Sequence, residues 1–200
     1  MSALTTINVQ LVGTKPLLLH NGRLANPLDP YTRDLAAISK KRNKTDDDRY
    51  DMMAIEARGG CYETADGLLA FPTANVWRSI YDAAKKYKLG KACTQALFFD
   101  DVNEPIYIDG STVHIDNDNW LQYGKVDQTI DYRPVKVGMA KAMRARPVVP
   151  AGWVMNHRLA LNESELELDS LAPVFVRAGE IIGLGDWRPN YGTYKMKVVA

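Results

Sequence analysis

Cysteine is nearly missing from this chain. Cys61 and Cys93 are the only two, far apart and outside any CxxC spacing. That excludes a disulfide scaffold and a thiolate metal cluster, and it points to free thiols in a reducing, cytoplasmic setting, with one Cys61–Cys93 bridge as the alternative. No apolar run approaches the about eighteen residues of a membrane span, so no membrane partner is expected. Met1-Ser2-Ala3-Leu4-Thr5-Thr6 lacks the basic stretch and apolar segment of a secretory signal. His20, His114 and His157 are isolated, without HxxxH or HExxH spacing, so no metal is expected. No Walker loop or GxSxG elbow occurs either, since Gly183-x-Gly185 follows a helix pattern instead of opening one. The sequence therefore predicts no cofactor and shows no catalytic constellation.

What is present is a strong segregation of charge. Net charge is only +1, yet eight carboxylates lie between Asp100 and Asp131 against the single Lys125. Between Tyr132 and Asn162 there is no carboxylate, while Arg133, Lys136, Lys141, Arg144, Arg146 and Arg158 supply six positive charges. Such blocks fit a polyanion-binding face, contact between unlike patches of neighbouring subunits, or two solvated faces.

Periodicity outlines the elements. Thr5 to Leu19 alternates as a strand and ends in His20-Asn21-Gly22. Two charge-rich helices follow, Tyr31 to Lys41 and a second from the Thr45 cap to about Arg58, reading as a surface insertion over about 26–60. A hairpin spans Cys61 to Phe71. The best helix opens at Pro72-Thr73, with Trp77, Ile80, Tyr81 and Ala84 on one stripe and Gly90 as its stop. Phe98-Phe99 and Ile106-Tyr107-Ile108 read as short strands, and about 128–150 reads as a long basic hairpin whose tip projects. A strand from Trp153 to Leu161, a helix capped by Asp169-Ser170 and a strand from Tyr194 complete the chain. The order predicts one α+β domain over 1–200, an elaborated ferredoxin-like antiparallel sheet with two core helices.

Phe71-Pro72-Thr73-Ala74-Asn75-Val76-Trp77-Arg78-Ser79-Ile80 resembles the I-P-x-S-S-[LI]-[KR]-G-x-[LI]-R helix start of the RAMP superfamily, the RNA-binding subunits of CRISPR effector complexes. Gly183-Leu184-Gly185, with Gly192 before the last strand, is similar to that superfamily's C-terminal glycine loop, and Pro16-Leu17-Leu18-Leu19-His20 to its first strand. The run Gly-Leu-Gly-Asp-Trp-Arg-Pro with a following Tyr-Gly further resembles an uncharacterised phage-encoded branch. The resemblance implies an RRM-like sheet, single-stranded DNA or RNA as ligand, and homo-oligomers along a strand. It also leaves room for a subunit or decoy of an RNA-guided complex that acts through protein contact.

The candidate binding residues fall in two groups. Tyr132, Arg133, Lys136, Lys141, Arg144 and Arg146 on the basic hairpin, with Met139 and Met143, combine backbone-tracking cations with platforms for bases. Trp187, Arg188 and Tyr191 in the glycine loop add an indole, a guanidinium and a phenol. As a catalytic alternative, Asp29 and Asp34 loosely resemble the loop of target-cleaving RAMP subunits, which implies a metal-dependent ribonuclease, and His20 stands where RAMP-like processing nucleases often use a histidine.

Overall fold

The computed structural model describes residues 4–115 and 129–199. The expectations for Asp116, Asp118, Lys125 and Asp127 of the acidic block, and for the very start of the hairpin, lie outside the described residues.

The elements run in the order β1 (Leu4–Gly13), β2 (Leu17–Leu18), a 3-10 turn (Gly22–Ala25), α1 (Pro30–Ser39), α2 (Asp46–Gly59), β3 (Tyr62–Glu63), β4 (Leu69–Pro72), α3 (Thr73–Ala84), α4 (Gly90–Ala96) and β5 (Leu97–Phe99). They continue as β6 (Asn103–Pro105), β7 (Tyr107–Ile108), β8 (Ser111–Thr112), β9 (Ile130–Val137), β10 (Ala140–Val149), β11 (Val154–Asn162), α5 (Leu168–Arg177) and β12 (Tyr194–Val199). In the main sheet β12 pairs with β1, β1 with β11, and β11 with β5, every pair antiparallel. Taking β1, α3, β5, β11, α5 and β12 as the core elements, this is a β-α-β-β-α-β chain whose fourth, first, third and second strands lie side by side. The fold is the ferredoxin-like α+β arrangement that the element order implies.

Alternation decides which face is buried. Val9 and Leu11 of β1 and Met155, Leu159 and Leu161 of β11 are inaccessible to solvent, while Asn8, Asn156 and Arg158 point outward. Trp153 fills the end of this face, donating from Nε1 to the Lys15 carbonyl at 3.0 Å. Gly13 leaves it room, since a Cβ there would collide with the indole. The helices cover the same face, and the buried Tyr194 hydroxyl meets Ser79 Oγ of α3 at 3.2 Å.

Three boundaries differ from the periodic reading. The buried side of α3 is Val76, Ser79, Ile80, Ala83 and Ala84, so Ile80 and Ala84 of the expected stripe face the core while Trp77 and Tyr81 give way to Val76, Ser79 and Ala83. Small residues let α3 sit close to its neighbours, and the two large rings stack on each other at the margin, 5.1 Å apart and 10° from parallel. Gly90 opens α4 instead of ending α3, because Lys88 makes the left-handed turn (φ 62°) that stops the preceding helix. The cap of α5 is Glu167, and Asp169 stands in its first turn, favourably placed for the helix dipole.

Two ionisable side chains are buried beneath this sheet. His157 is 2% exposed with both ring nitrogens unpartnered, and burial pulls its pKa down to about 4. Glu104 of β6 is pushed up to about 7 by burial and by the nearby Asp101 charge, against a hydrogen bond from the Asn156 backbone.

Candidate nucleic-acid interface

The hairpin β9–β10 turns through Gly138 (φ 60°) and the fully exposed Met139, with Val137 opposite Ala140 as the last pair. Directly opposed residues share a face, so the register sorts the sequence-derived candidates. Arg133 lies opposite Arg144 and Asp131 opposite Arg146 on one face. Lys136 lies opposite Lys141, and Tyr132 opposite Ala145, on the other.

The arginine face is packed against the rest of the molecule. Arg146 is 8% exposed and donates from Nε to Asp186 Oδ2 at 2.7 Å, while its Nη1 is buried without a partner. Arg144 Nη1 donates to Glu56 Oε1 at 3.0 Å, and the Ala145 amide donates to the other oxygen of the same carboxylate at 2.9 Å. Glu56 belongs to α2, whose Ala57 and Met53 also meet Ile130 and Ala145, which lie on the opposite face at the base of the hairpin, in a small apolar cluster. The charged helix that reads as a surface insertion is therefore the seat of the hairpin. Arg133 pairs with Asp131, donates to the Tyr191 hydroxyl at 2.7 Å, and lies 4.5 Å from the Trp187 ring centroid and 5.5 Å from that of Tyr191.

The glycine loop supplies the other half of this junction. Its backbone lies on β2: the Asp186 amide donates to the Leu18 carbonyl at 3.0 Å, and the Gly192 amide to that of Pro16 at 2.8 Å. Gly185 (φ 69°) and Gly192 (φ 66°) permit the approach, since a Cβ on either would collide with a carbonyl oxygen, that of Leu18 or Leu184. The close packing holds Trp187, with φ at 57°, on the surface at 42% exposure. Hairpin and loop candidates distant in sequence thus converge, Arg133 with Trp187 and Tyr191, and Arg146 reaches Asp186 beside them.

Beside the loop lies a cleft of about 240 Å³, lined by His20, Tyr62, Phe71, Asn75, Arg78, Gly185, Asp186 and Arg188. It sits where the start of α3 and the glycine loop meet. Tyr62 and Phe71 form an edge-to-face wall with centroids 6.0 Å apart, and the Tyr62 hydroxyl donates to the His20 carbonyl at 2.8 Å. Burial raises the Tyr62 pKa, Asn75 opposes that shift through its hydrogen bond, and the Asp186 charge adds to it. Arg78 spends its Nε on Asp82 at 2.9 Å. Arg188 is exposed and has no ion-pair or hydrogen-bond partner among the described residues. Asn75, Arg78, Tyr62 and Asp186 do not stand out as binding residues in the sequence; the motif that contains the first two is the available signal.

The remaining candidates lie elsewhere. Lys136 and Lys141 are exposed without partners among the described residues, and Met143 and Tyr132 are 43% and 38% exposed. Asp29 is the buried N-cap of α1, accepting from the Tyr31 amide at 3.0 Å and from Arg23 Nε at 2.8 Å, so its oxygens are held by local structure. Asp34 is exposed on α1. Among the described residues no three His, Cys, Asp or Glu side chains gather into a metal-binding group, and no helix is long and apolar enough to cross a membrane. Both cysteines are free and buried. Part of the charge segregation is satisfied within the chain, since Arg158 pairs with Asp100 at 3.3 Å and Arg133 with Asp131.

No protein-family model and no curated protein matches the sequence. Among solved structures the chain is similar to Csc2 of Thermofilum pendens, across 98% of this chain and 65% of that one, at 13% identity and a TM-score of 0.33. The chain thus spans about two-thirds of the length of that protein. The fold assignment rests on strand order and register.

Proposed function

We propose that this protein binds single-stranded nucleic acid, DNA or RNA, without cleaving it, as a RAMP-like module. The observation that carries the reading is the convergence of Arg133, Trp187 and Tyr191 at the glycine loop, next to a cleft bearing Arg78 and Arg188. Single strands are held by cations that track the backbone and by aromatic surfaces under the bases, about 1–3 kcal/mol per stacked base. Trp187 supplies the exposed surface, braced from the hairpin side by Arg133. Arg188 and the outer nitrogens of Arg78 supply positive charge within reach of a phosphate.

The lysine face of the hairpin adds a second grip. Lys136 and Lys141 stand directly opposite each other, and like charges so placed repel. A phosphate between them relieves that repulsion, which gives the pair a preference for a bound polyanion. The same reading extends to copies assembled along a strand in a phage setting, where charges left unpaired within one chain face a neighbour. That extension is supported by the charge segregation and the sequence resemblance alone.

Titrating labelled single-stranded and duplex oligonucleotides of one sequence, as DNA and as RNA, at two salt concentrations tests the proposal. Tight, salt-sensitive binding of the single strand and weak binding of the duplex is expected. Equal affinity for both forms, or no binding to either, would remove the reading.

A further inference from the structure

The cleft carries more chemistry than backbone binding requires. Its volume of about 240 Å³ lies below the roughly 300–1,000 Å³ that encloses a drug-sized ligand, which leaves space on the scale of one base instead of a stacked segment. The Tyr62–Phe71 wall is fixed in orientation by the Tyr62 bond to the His20 carbonyl. Opposite kinds of polar group then share one small space. Two guanidinium groups suit a phosphate, while a carboxylate and a carboxamide suit a base edge.

Asp186 is held firmly. Its backbone amide is anchored on Leu18 and its Oδ2 on Arg146, while Oδ1 has no partner among the described residues. With Oδ2 engaged by Arg146, the remaining oxygen Oδ1 can only accept a hydrogen bond. The exocyclic amines of cytosine, adenine and guanine donate to such an acceptor from the rim of the base. Uracil and thymine have a single donor on their pairing edge, the ring N3–H, flanked on both sides by carbonyl oxygens that a carboxylate repels. Where cytosine turns an amine toward Asp186, they turn an oxygen.

We propose that the cleft holds one unstacked nucleotide, with Arg78 and Arg188 at its phosphate and Asp186 Oδ1 and Asn75 at its base edge, and selects bases bearing an exocyclic amino group over uracil and thymine. This rests on the single-strand reading above and adds base selection to it. The ligand chemistry is a nucleoside monophosphate unit, whether free or within a strand.

Anisotropy titrations of the full chain with labelled oligo(C) and oligo(U) of equal length test the selection between pyrimidines that differ in this group. Oligo(C) is expected to bind about fivefold tighter or more, the low end of what one specific base contact provides. Asp186→Asn should bring the two affinities within about twofold. Because that change also alters the Arg146 pair, Asn75→Ala serves as a second variant that leaves the pair intact, and it too should narrow the preference. Competition by CMP but not UMP assigns the cleft to free nucleotides, and preference without competition assigns it to a nucleotide within the strand; both support the proposal. Equal wild-type affinity for oligo(C) and oligo(U) overturns base selection and leaves strand binding standing. Binding to neither overturns the strand-binding reading and this one with it.

Discussion

The two faces of the hairpin use the same kind of charge in opposite ways. On one face Arg133, Arg144 and Arg146 are each matched to a carboxylate, Asp131, Glu56 and Asp186, and dock the hairpin onto the glycine loop and α2. On the other, Lys136 and Lys141 oppose each other without a carboxylate among the described residues. Planar arginines suit fixed paired sites, and flexible, strongly hydrated lysines suit a charge kept for solvent or a ligand. Cation density alone therefore does not locate binding, because half of a basic segment can be framework.

This contrast sets an order of expected effects. The largest falls on the loop that receives the arginine face. Gly185→Ala places a Cβ against the Leu18 carbonyl at a positive φ and should cost about 3 kcal/mol in urea denaturation. Arg146→Ala comes next, at about 2–3 kcal/mol, because it strips a buried charged hydrogen bond from the half-exposed Asp186. A result near zero for Arg146→Ala would mean that the arginine face is not framework, and the comparison would break.

A pH scan separates these ion pairs from the ionisable groups under the sheet. Glu104 has its folded pKa raised to about 7, so its contribution to stability falls as pH rises from about 4.5 toward 7. His157 has its folded pKa lowered to about 4, so its contribution is complete above about 6.5 and falls as pH drops from there. The two oppose each other, and stability should be nearly flat between about pH 4.5 and 6.5. Glu104→Gln should expose the His157 slope, with stability rising by about 1 kcal/mol per pH unit across that window. A flat profile in the variant would show that His157 is not held neutral.

The smallest effect on stability lies on the lysine face and has the opposite sign. Lys136→Glu turns a repulsive cross-strand pair into an attractive one and should stabilise the fold by about 0.3 kcal/mol. The same change should weaken single-strand binding and reduce the salt slope by about 0.7 for each phosphate that is no longer neutralised.

Much of the fold is legible in the sequence because alternation and helical periodicity report burial directly. The β1 and β11 patterns give the right inward faces, and the Thr45 cap places the start of α2, where Thr45 and Asp48 close a capping box. The stripe on α3 is right at Ile80 and Ala84 and misleading at Trp77 and Tyr81, because large aromatics weigh heavily in periodicity, although Ser79 and Ala83 are what fit beneath a close-packed neighbour. Of the candidate site, residue types and segments are readable, but partners are not. The pairing of Arg146 with Asp186 joins positions forty residues apart, and that of Arg144 with Glu56 positions eighty-eight apart. The register that separates Arg133 from Lys136 depends on a turn at Gly138 and Met139, where shifting the pairing by one residue would exchange the faces.

Ultraviolet crosslinking of the full chain to a single strand, with adducts mapped by mass spectrometry, tests the central claim most directly. The account predicts adducts on Trp187, Tyr191 or Tyr62 that disappear when the strand is competed away. Adducts confined to aromatics away from the loop and cleft, such as Phe98 and Tyr107, would contradict it.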